Sequence, residues 1–281
     1  MTRFNPFSLN IRGKVTVYDR AAVMGIVNVT PDSFYSESRA TDADTLRRRV
    51  ETVIAEGADI VDVGAYSSRP GAVYVDDAEE LRRLEAGIKA VREVSVDIPV
   101  SVDTIKSRVA RTAIDTLGAD IINDISGGTL DEKMVEVVAD THAPYIMMHM
   151  RGTPADMQLH TDYRHVTTDV IAWFSKQLAL FSMAGAGDII VDPGFGFSKT
   201  ADQNFQLLSE LEQFGILGRP LLAGMSRKSM IYNTLGVTAE QSLNGTTTVN
   251  TIALMKGAQI LRVHDVAAAR EAVTLMSRIS L

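Results

Sequence analysis

Eight short apolar runs, at residues 23–29, 60–63, 100–103, 121–124, 145–149, 189–192, 221–224 and 260–264, divide the chain into units of nearly one kind. The stretches between them have helical periodicity. Residues 45–56 carry Leu46, Val50, Val53 and Ile54, and residues 78–94 carry Leu81, Leu84, Ile88 and Val91, each set on one face of a 3.6-residue repeat. Strand and helix in alternation imply a parallel sheet. Gly57-Ala58-Asp59-Ile60, Gly118-Ala119-Asp120-Ile121 and Gly257-Ala258-Gln259-Ile260 repeat one device, a helix stopped by glycine and turned within a few residues into the next strand. Eight such units close a (β/α)8 TIM barrel, and the whole chain, 1–281, is expected to form one domain. Ahead of the first unit, residues 8–18 alternate around Arg12-Gly13-Lys14 and predict a β-hairpin placed to plug the barrel's amino-terminal mouth. The competing fold, an open doubly wound sheet, usually has fewer strands and a dinucleotide-binding glycine loop, which this sequence lacks.

Composition narrows the chemistry. A net charge of −7 argues against a nucleic-acid or anionic-membrane partner, so an anionic ligand needs a local cluster of cations. The absence of cysteine removes disulfides, thiolate metal sites and cysteine nucleophiles, and leaves oxygen or imidazole ligands for any metal. Residues 1–6 lack the apolar core of a signal peptide, and no apolar run approaches the ~20 residues of a membrane span. The expectation is a cytoplasmic enzyme acting on small molecules.

Chemistry in a TIM barrel gathers where strands end, so the strand-terminal polar residues form one site. Arg262 and His264, two positions apart on the last run, share a face. A guanidinium that forks onto phosphate oxygens, with an imidazole as second donor, suits a phosphorylated ligand. Asp103, Asn123, Asp124 and Asp192 end three other runs. Asp103 or Asp192 can accept two parallel hydrogen bonds from a guanidine-like edge such as an aminopyrimidine, and Asn123 offers donor and acceptor together. A single strand-end Asp is more often a helix cap or ion-pair partner, but several on one rim favour a site.

Gly224-Met225-Ser226-Arg227-Lys228-Ser229 crowds hydroxyls and cations after the seventh run, the densest local signal for an anion. The first loop, with Asp32 and Phe34, is long, polar and aromatic, as expected of a segment that closes over substrate, although Thr30-Pro31-Asp32-Ser33 equally reads as a capped turn. The second brings Arg69, braced by Pro70 and Gly71. His142, His160 and His165 lack metal-ligand spacing, and His149 at a strand end is assigned no chemistry. Leu178, Leu180, Phe181 and Met183 fit either core or a subunit interface.

Eight segments, taken in order, resemble the motifs of the dihydropteroate synthase family: Met24-Gly25-Ile26-Val27-Asn28-Val29-Thr30-Pro31-Asp32-Ser33-Phe34, Ser68-Arg69-Pro70-Gly71, Ser101-Val102-Asp103-Thr104, Ile122-Asn123-Asp124-Ile125-Ser126-Gly127, Met148-His149-Met150-Arg151-Gly152-Thr153-Pro154, Asp192-Pro193-Gly194-Phe195-Gly196-Phe197, Ser226-Arg227-Lys228-Ser229 and Arg262-Val263-His264-Asp265. The resemblance implies a folate-pathway transferase that joins p-aminobenzoate to 7,8-dihydropterin-6-ylmethyl diphosphate by Mg2+-assisted, SN1-like loss of diphosphate. It further implies that Asp103, Asn123, Asp192 and Lys228 hold the pterin, with Asp103, Asp192 and Lys228 closest to the chemistry and Met147 and Phe195 as apolar walls. Asn28 would bind Mg2+ on the diphosphate, within a cradle of Asn28, Arg69, Arg262 and His264. Ser68, Arg69, Pro70, Phe195 and Ser226 would bound the p-aminobenzoate pocket, and Asp32 and Phe34 would take part in loop closure. A serine at position 226 serves equally as a buried loop hydroxyl satisfied by backbone. A homodimer and sulfonamide inhibition belong to the same implication.

The sequence departs from the family pattern in two loops. Where the family commonly has Gly-Gly-Glu-Ser-Thr-Arg-Pro-Gly, this chain has Gly64-Ala65-Tyr66-Ser67-Ser68-Arg69-Pro70-Gly71, and Ser36 takes the place of an acidic residue in the first loop. A pterin-dependent methyltransferase, which has no diphosphate to hold, fits Arg262-Val263-His264 and Ser226-Arg227-Lys228 poorly. A non-catalytic pterin-binding barrel would be expected to lose the diphosphate residues, yet Asn28, Arg69, Arg262 and His264 are all present. No insertion lies beside Ser68-Arg69-Pro70, so a sulfonamide is expected to compete with p-aminobenzoate. Steady-state inhibition checks this, and an inhibition constant far weaker than KM for p-aminobenzoate would contradict it.

Overall fold

The computed structural model describes residues 4–29, 39–66 and 75–279. Two antiparallel strands come first, β1 (Phe7–Ile11) and β2 (Lys14–Tyr18). Eight parallel strands follow: β3 (Ala22–Asn28), β4 (Ile60–Gly64), β5 (Val100–Asp103), β6 (Ile121–Asp124), β7 (Tyr145–Met148), β8 (Ile189–Asp192), β9 (Leu222–Ala223) and β10 (Ile260–Val263). They pair in the order β8, β7, β6, β5, β4, β3, β10, β9, and a bridge from Val191 to Leu221 brings β8 against β9 to close the ring. Helices α1 (Arg39–Ala55), α2 (Asp77–Val94), α3 (Ser107–Thr112), α4 (Met134–Thr141), α5 (Val166–Met183), α6 (Ala201–Ser209), α7 (Ser229–Leu235), α8 (Leu243–Met255) and α9 (Val266–Met276) connect or follow the strands. This is the TIM barrel with an N-terminal hairpin that the sequence predicts.

Local chemistry starts the helices. Asp76 accepts the Glu79 N–H at 2.9 Å to cap α2, whose first turn carries Asp77, Glu79 and Glu80 against the positive helix end. Thr200 and Gln203 form a reciprocal capping box on α6. On α5, Leu178 and Phe181 are buried, whereas Leu180 and Met183 are exposed.

The repeated Gly-Ala-Asp/Gln-Ile segments share a structural role beyond turning the chain. Gly57, Gly118 and Gly257 adopt φ of 96°, 83° and 95°, a conformation that favours glycine. The polar residue two positions on then clasps the base of the neighbouring strand. Asp59 donates its N–H to the Val23 carbonyl at 2.8 Å, and its carboxylate accepts the Val23 N–H at 2.8 Å. Asp120 does the same to Val100, at 2.8 Å each way. Gln259 does so to Leu221, at 2.8 and 3.2 Å. Each clasp satisfies backbone groups at a strand end.

The hairpin closes the floor. Consecutive positive φ values at Arg12 (53°) and Gly13 (75°) match the right-handed twist of a two-residue hairpin. Phe7, Leu9 and Ile11 then face Ile60, Ile121, Ile146, Ile190, Leu222 and Ile260, the inward residues of the lower barrel. Arg12 ties the hairpin down through two hydrogen bonds to Asp120, which Arg92 also engages at 2.6 Å. Above this apolar layer the inward positions turn polar, with Asp62, Ser101, Asp103, Asn123, Asp192 and Arg262. The outward positions, such as Val61, Val63, Ile122 and Val191, pack in the core outside the ring.

Leu9 is 2% exposed at the centre of the plug. Leu9→Ala should lower unfolding stability by about 3 kcal/mol, the usual scale for truncating a buried leucine. Denaturant titration checks this, and an unchanged midpoint would mean that the hairpin does not seal the barrel.

Candidate active site

Arg262 stands at the centre of the upper barrel. Its Nε donates to Asp62 at 2.7 Å, and its Nη2 reaches Asp62 at 2.6 Å and Asp103 at 3.1 Å. Asp62 is fully buried and also accepts from the Asn123 amide at 3.2 Å. The carboxylates hold the arginine's proton more tightly against the cost of burial, while burial pushes Asp103 upward against the pull of Arg262. The site residues of β4, β5, β6 and β10 are thus one network. The shared inward face explains it, since Asp62, Asn123 and Arg262 each follow an inward isoleucine by two residues and Asp103 pairs in register with Asn123.

Asp62 is absent from the sequence-predicted set because it lies within its strand rather than at the end. Alternation through β4 is its available signal: an acid two residues above Ile60 must share that side chain's inward face.

Asp192 ends β8 on the same interior surface. Its Oδ1 accepts the Gly194 N–H at 2.8 Å. Burial raises its pKa, opposed by Lys228, the Gly194 hydrogen bond, Arg262 and Lys199. A side chain at Gly224 would contact both Asp192 and Arg262, at 3.7 and 3.9 Å from its Cβ, so glycine keeps the space between them open. Lys228 donates to the Phe195 carbonyl, with Nζ 4.5 Å from the centre of the Phe197 ring. Burial lowers its pKa to about 8, opposed by Asp192.

Three side chains that the sequence assigns to the site point away from the barrel interior. Met147 packs in the outer core beside Gly127, whereas Met148, one position on, faces the barrel mouth in a cluster with Ile125, Met150 and Met157. Phe195 likewise lies in the outer core with no exposure, and Phe197 joins the Met148 cluster instead. Met148 and Phe197 therefore face the mouth where Met147 and Phe195 do not, the methionines because a one-residue step reverses a strand's face and the phenylalanines because the glycine loop turns between them. Asp124 also turns outward. It accepts from the Tyr145 hydroxyl, the Ser126 hydroxyl and N–H, and the Gly128 N–H, at 2.7 to 2.9 Å, and so organises a loop.

The basic segment after β9 divides its labour. Arg227, at φ 55°, turns away to make two 2.8 Å bonds with Asp265 and two more with the carbonyls of Ala239 and Glu240. Ser226 accepts the His264 N–H at 3.2 Å, and its hydroxyl lies 3.2 Å from His264 Nδ1. That contact ends β10 one residue earlier than expected, because a hydroxyl and not a strand takes the His264 N–H. Burial, then Arg262, lowers the His264 pKa to about 4, so its imidazole is neutral near pH 7.

Asn28 is exposed at the rim end of β3, and a Cβ on Gly64 would lie 3.1 Å from its Oδ1. Among the described residues no three of His, Cys, Asp and Glu form a metal-binding group. Tyr66, where the family commonly has Glu, places its hydroxyl 3.5 Å from Asp103, and burial, reinforced by Asp103, keeps the phenol protonated. Asp32, Phe34, Ser68, Arg69 and Pro70 lie outside the described residues. The assembled surface presents hydrogen-bonding groups suited to a flat polar heterocycle, apolar walls beside it, and cationic or proton-donating groups towards the rim.

The chain matches the pterin binding enzyme family over residues 24–264. A dihydropteroate synthase from Synechocystis is 43% identical over 259 residues, covering 90% of this chain and 89% of that protein. The structure of Xanthomonas albilineans dihydropteroate synthase with 4-aminobenzoic acid superposes with a TM-score of 0.88 at 38% identity and covers 96% of both chains. Yersinia pestis dihydropteroate synthase, in a sulfonamide drug complex, gives 0.86 at 38% identity, over 96% of this chain and 97% of that one.

Removing Arg262 strands the buried carboxylate of Asp62 and the partly buried one of Asp103. Arg262→Ala should cost on the order of 3 kcal/mol of unfolding stability. Adding Asp62→Asn should recover part of that loss, because an uncompensated charge is removed with it. A double-mutant cycle by denaturant unfolding checks this, and additive losses would contradict the network.

Proposed function

The chain belongs to the pterin-binding enzymes and, among them, to the dihydropteroate synthases, transferases of folate biosynthesis, and from that membership we propose how its barrel joins the two substrates. The carrying observation is the common inward face of Asp103, Asn123, Asp192 and Arg262, with Lys228 held beside the Phe197 ring.

The pterin diphosphate enters ring first. Asp103 and Asp192 accept N–H groups of the ring, Asn123 pairs with a mixed donor-acceptor edge, and Lys228 donates to a ring carbonyl or nitrogen. Met148 and Phe197 bound the ring. The diphosphate then lies towards the rim, within reach of Asn28, Arg69 and His264 and in the field of Arg262. Held by Asp62 and Asp103, Arg262 contributes a fixed positive charge that need not reorganise during reaction. The neutral His264 offers a hydrogen bond, and its proximity to diphosphate favours gaining a proton.

A magnesium ion fits this arrangement, because a hard cation that keeps several waters needs only one or two protein oxygens beside substrate phosphates, and Asn28 presents one at the rim. When bound, Mg2+ neutralises charge on the leaving diphosphate. The bond from the pterin methylene to the diphosphate oxygen breaks with both electrons leaving on oxygen. The methylene cation is stabilised by the electron-rich ring and by the nearby carboxylates. The p-aminobenzoate nitrogen adds to it and then releases a proton. Ser68, Arg69, Pro70 and Ser226 bound this second substrate, with Ser226 towards its carboxylate. The loop carrying Asp32 and Phe34 keeps water from the cation. Sulfonamides occupy the same pocket.

We place the enzyme in the cytoplasm, acting as one domain and assembling as a homodimer. No helix among the described residues is long and apolar enough to cross a membrane. Leu235 on α7 and Leu243, Ile252 and Met255 on α8 expose apolar surface that suits a partner subunit.

The direct test supplies pterin diphosphate and Mg2+ with or without p-aminobenzoate and quantifies both products. Equal amounts of diphosphate and dihydropteroate, formed only with p-aminobenzoate, are expected. Pterin binding without product would overturn the catalytic reading.

A further inference from the structure

Lys199 is 3% exposed, between the end of β8 and the Thr200 cap of α6. Its ammonium makes no ion pair with a carboxylate among the described residues. Instead it donates to the carbonyls of Gly194 and Phe197, both at 3.0 Å, and lies 3.1 Å from Nδ1 of His149. An ammonium has three donors and no acceptor, so three contacts satisfy it completely. His149 is itself 1% exposed, with its ring set edge-on to Trp173 at 5.0 Å. Burial, then Lys199, holds that imidazole neutral, which leaves Nδ1 available as an acceptor.

A buried cation without a carboxylate partner is costly, and a methionine would fill similar space without that cost. What the ammonium supplies is direction. The carbonyls of Gly194–Phe197 are all held: Gly194 and Phe197 by Lys199, Phe195 by Lys228, and Gly196 by the Gln158 amide at 3.1 Å. Gly196 also donates its N–H to Asn204 at 2.7 Å. The segment runs so close to β7 that a Cβ on Gly194 would lie 2.1 Å from the His149 carbonyl oxygen. The Gly194 N–H in turn orients Asp192.

We infer that Lys199 is a positioning residue for the pterin half of the site, pinning Gly194 and Phe197 to His149 so that Asp192, Lys228 and Phe197 keep the spacing that reads the ring. The inference rests on the function proposed above. It assigns a role to His149 that its position in the sequence does not reveal, and it places neither His149 nor Lys199 in contact with substrate.

Lys199→Met keeps the side chain's bulk and removes its donors. Calorimetric titration with 6-hydroxymethyl-7,8-dihydropterin should show about 10-fold weaker binding, the scale of a lost buried hydrogen bond to a charged group. KM for the pterin diphosphate should rise in parallel while KM for p-aminobenzoate stays within about twofold, a split that loss of general stability does not produce. If that variant fails to fold, His149→Phe, which removes only the third anchor, should give the same split at about threefold. Wild-type pterin affinity in a folded Lys199→Met protein would overturn the inference, as would equal rises in both KM values alongside a lowered Tm. A wild-type protein that neither binds the pterin nor turns it over would sink the underlying functional reading instead.

Discussion

A guanidinium inside a closed barrel must have its charge answered nearby, and much of the upper barrel is arranged around that requirement. Arg262 is answered by Asp62 and Asp103, Asp62 takes a further hydrogen bond from Asn123, and Asp103 stands opposite the Tyr66 hydroxyl. Desolvation makes each of these groups expensive alone, and mutual satisfaction makes them tolerable together. A fold-stabilising network and a ligand-reading surface are therefore built from the same side chains. Arg262 is more than a simple rim cation for phosphate, because its Nε and Nη2 already belong to the barrel and Nη1 is the group left to meet a ligand.

The fold is legible in the sequence because periodicity and glycine placement report local physics. Eight apolar runs become eight strands, Arg12-Gly13-Lys14 becomes the hairpin turn, and the repeated Gly-Ala-Asp/Gln-Ile segments become strand-base clasps. The strand-end residues Asp103, Asn123 and Asp192 are legible as well, since a parallel barrel gathers them on one rim. Orientation is harder to read. Met147 and Met148 are indistinguishable by composition, and only alternation from Ile146 on the inner face sends Met148 to the mouth. Phe195 and Phe197 differ through the path of a glycine loop, which no strand period governs. Asp62 and Lys199 escape notice because their partners are fixed by tertiary structure: 200 residues separate Asp62 from Arg262, and 50 separate Lys199 from His149.

A partly buried lysine and a fully buried one show how position decides the use of one side-chain type. Lys228 holds one loop carbonyl and feels the charge of Asp192, so its other donors remain able to meet a ligand. Lys199, whose pKa burial lowers to about 7, has every donor committed to the protein. Arg227 and Arg262 divide in the same manner, one binding the loops together from outside and the other charging the interior. Counting basic residues in a motif therefore overstates how many can touch an anion.

The sealed floor has a consequence for traffic. With Phe7, Leu9 and Ile11 filling the amino-terminal mouth, the barrel is a blind well. Whatever is read by Asp103, Asn123 and Asp192 must descend past the rim residues Asn28, Ser226 and His264 and must withdraw along the same path. In the proposed reaction the pterin occupies the bottom of that well and p-aminobenzoate its opening, so the second substrate, arriving early, would obstruct the first. Depth alone thus imposes a queue: pterin diphosphate enters ahead of p-aminobenzoate, and the joined product leaves with its pterin end last.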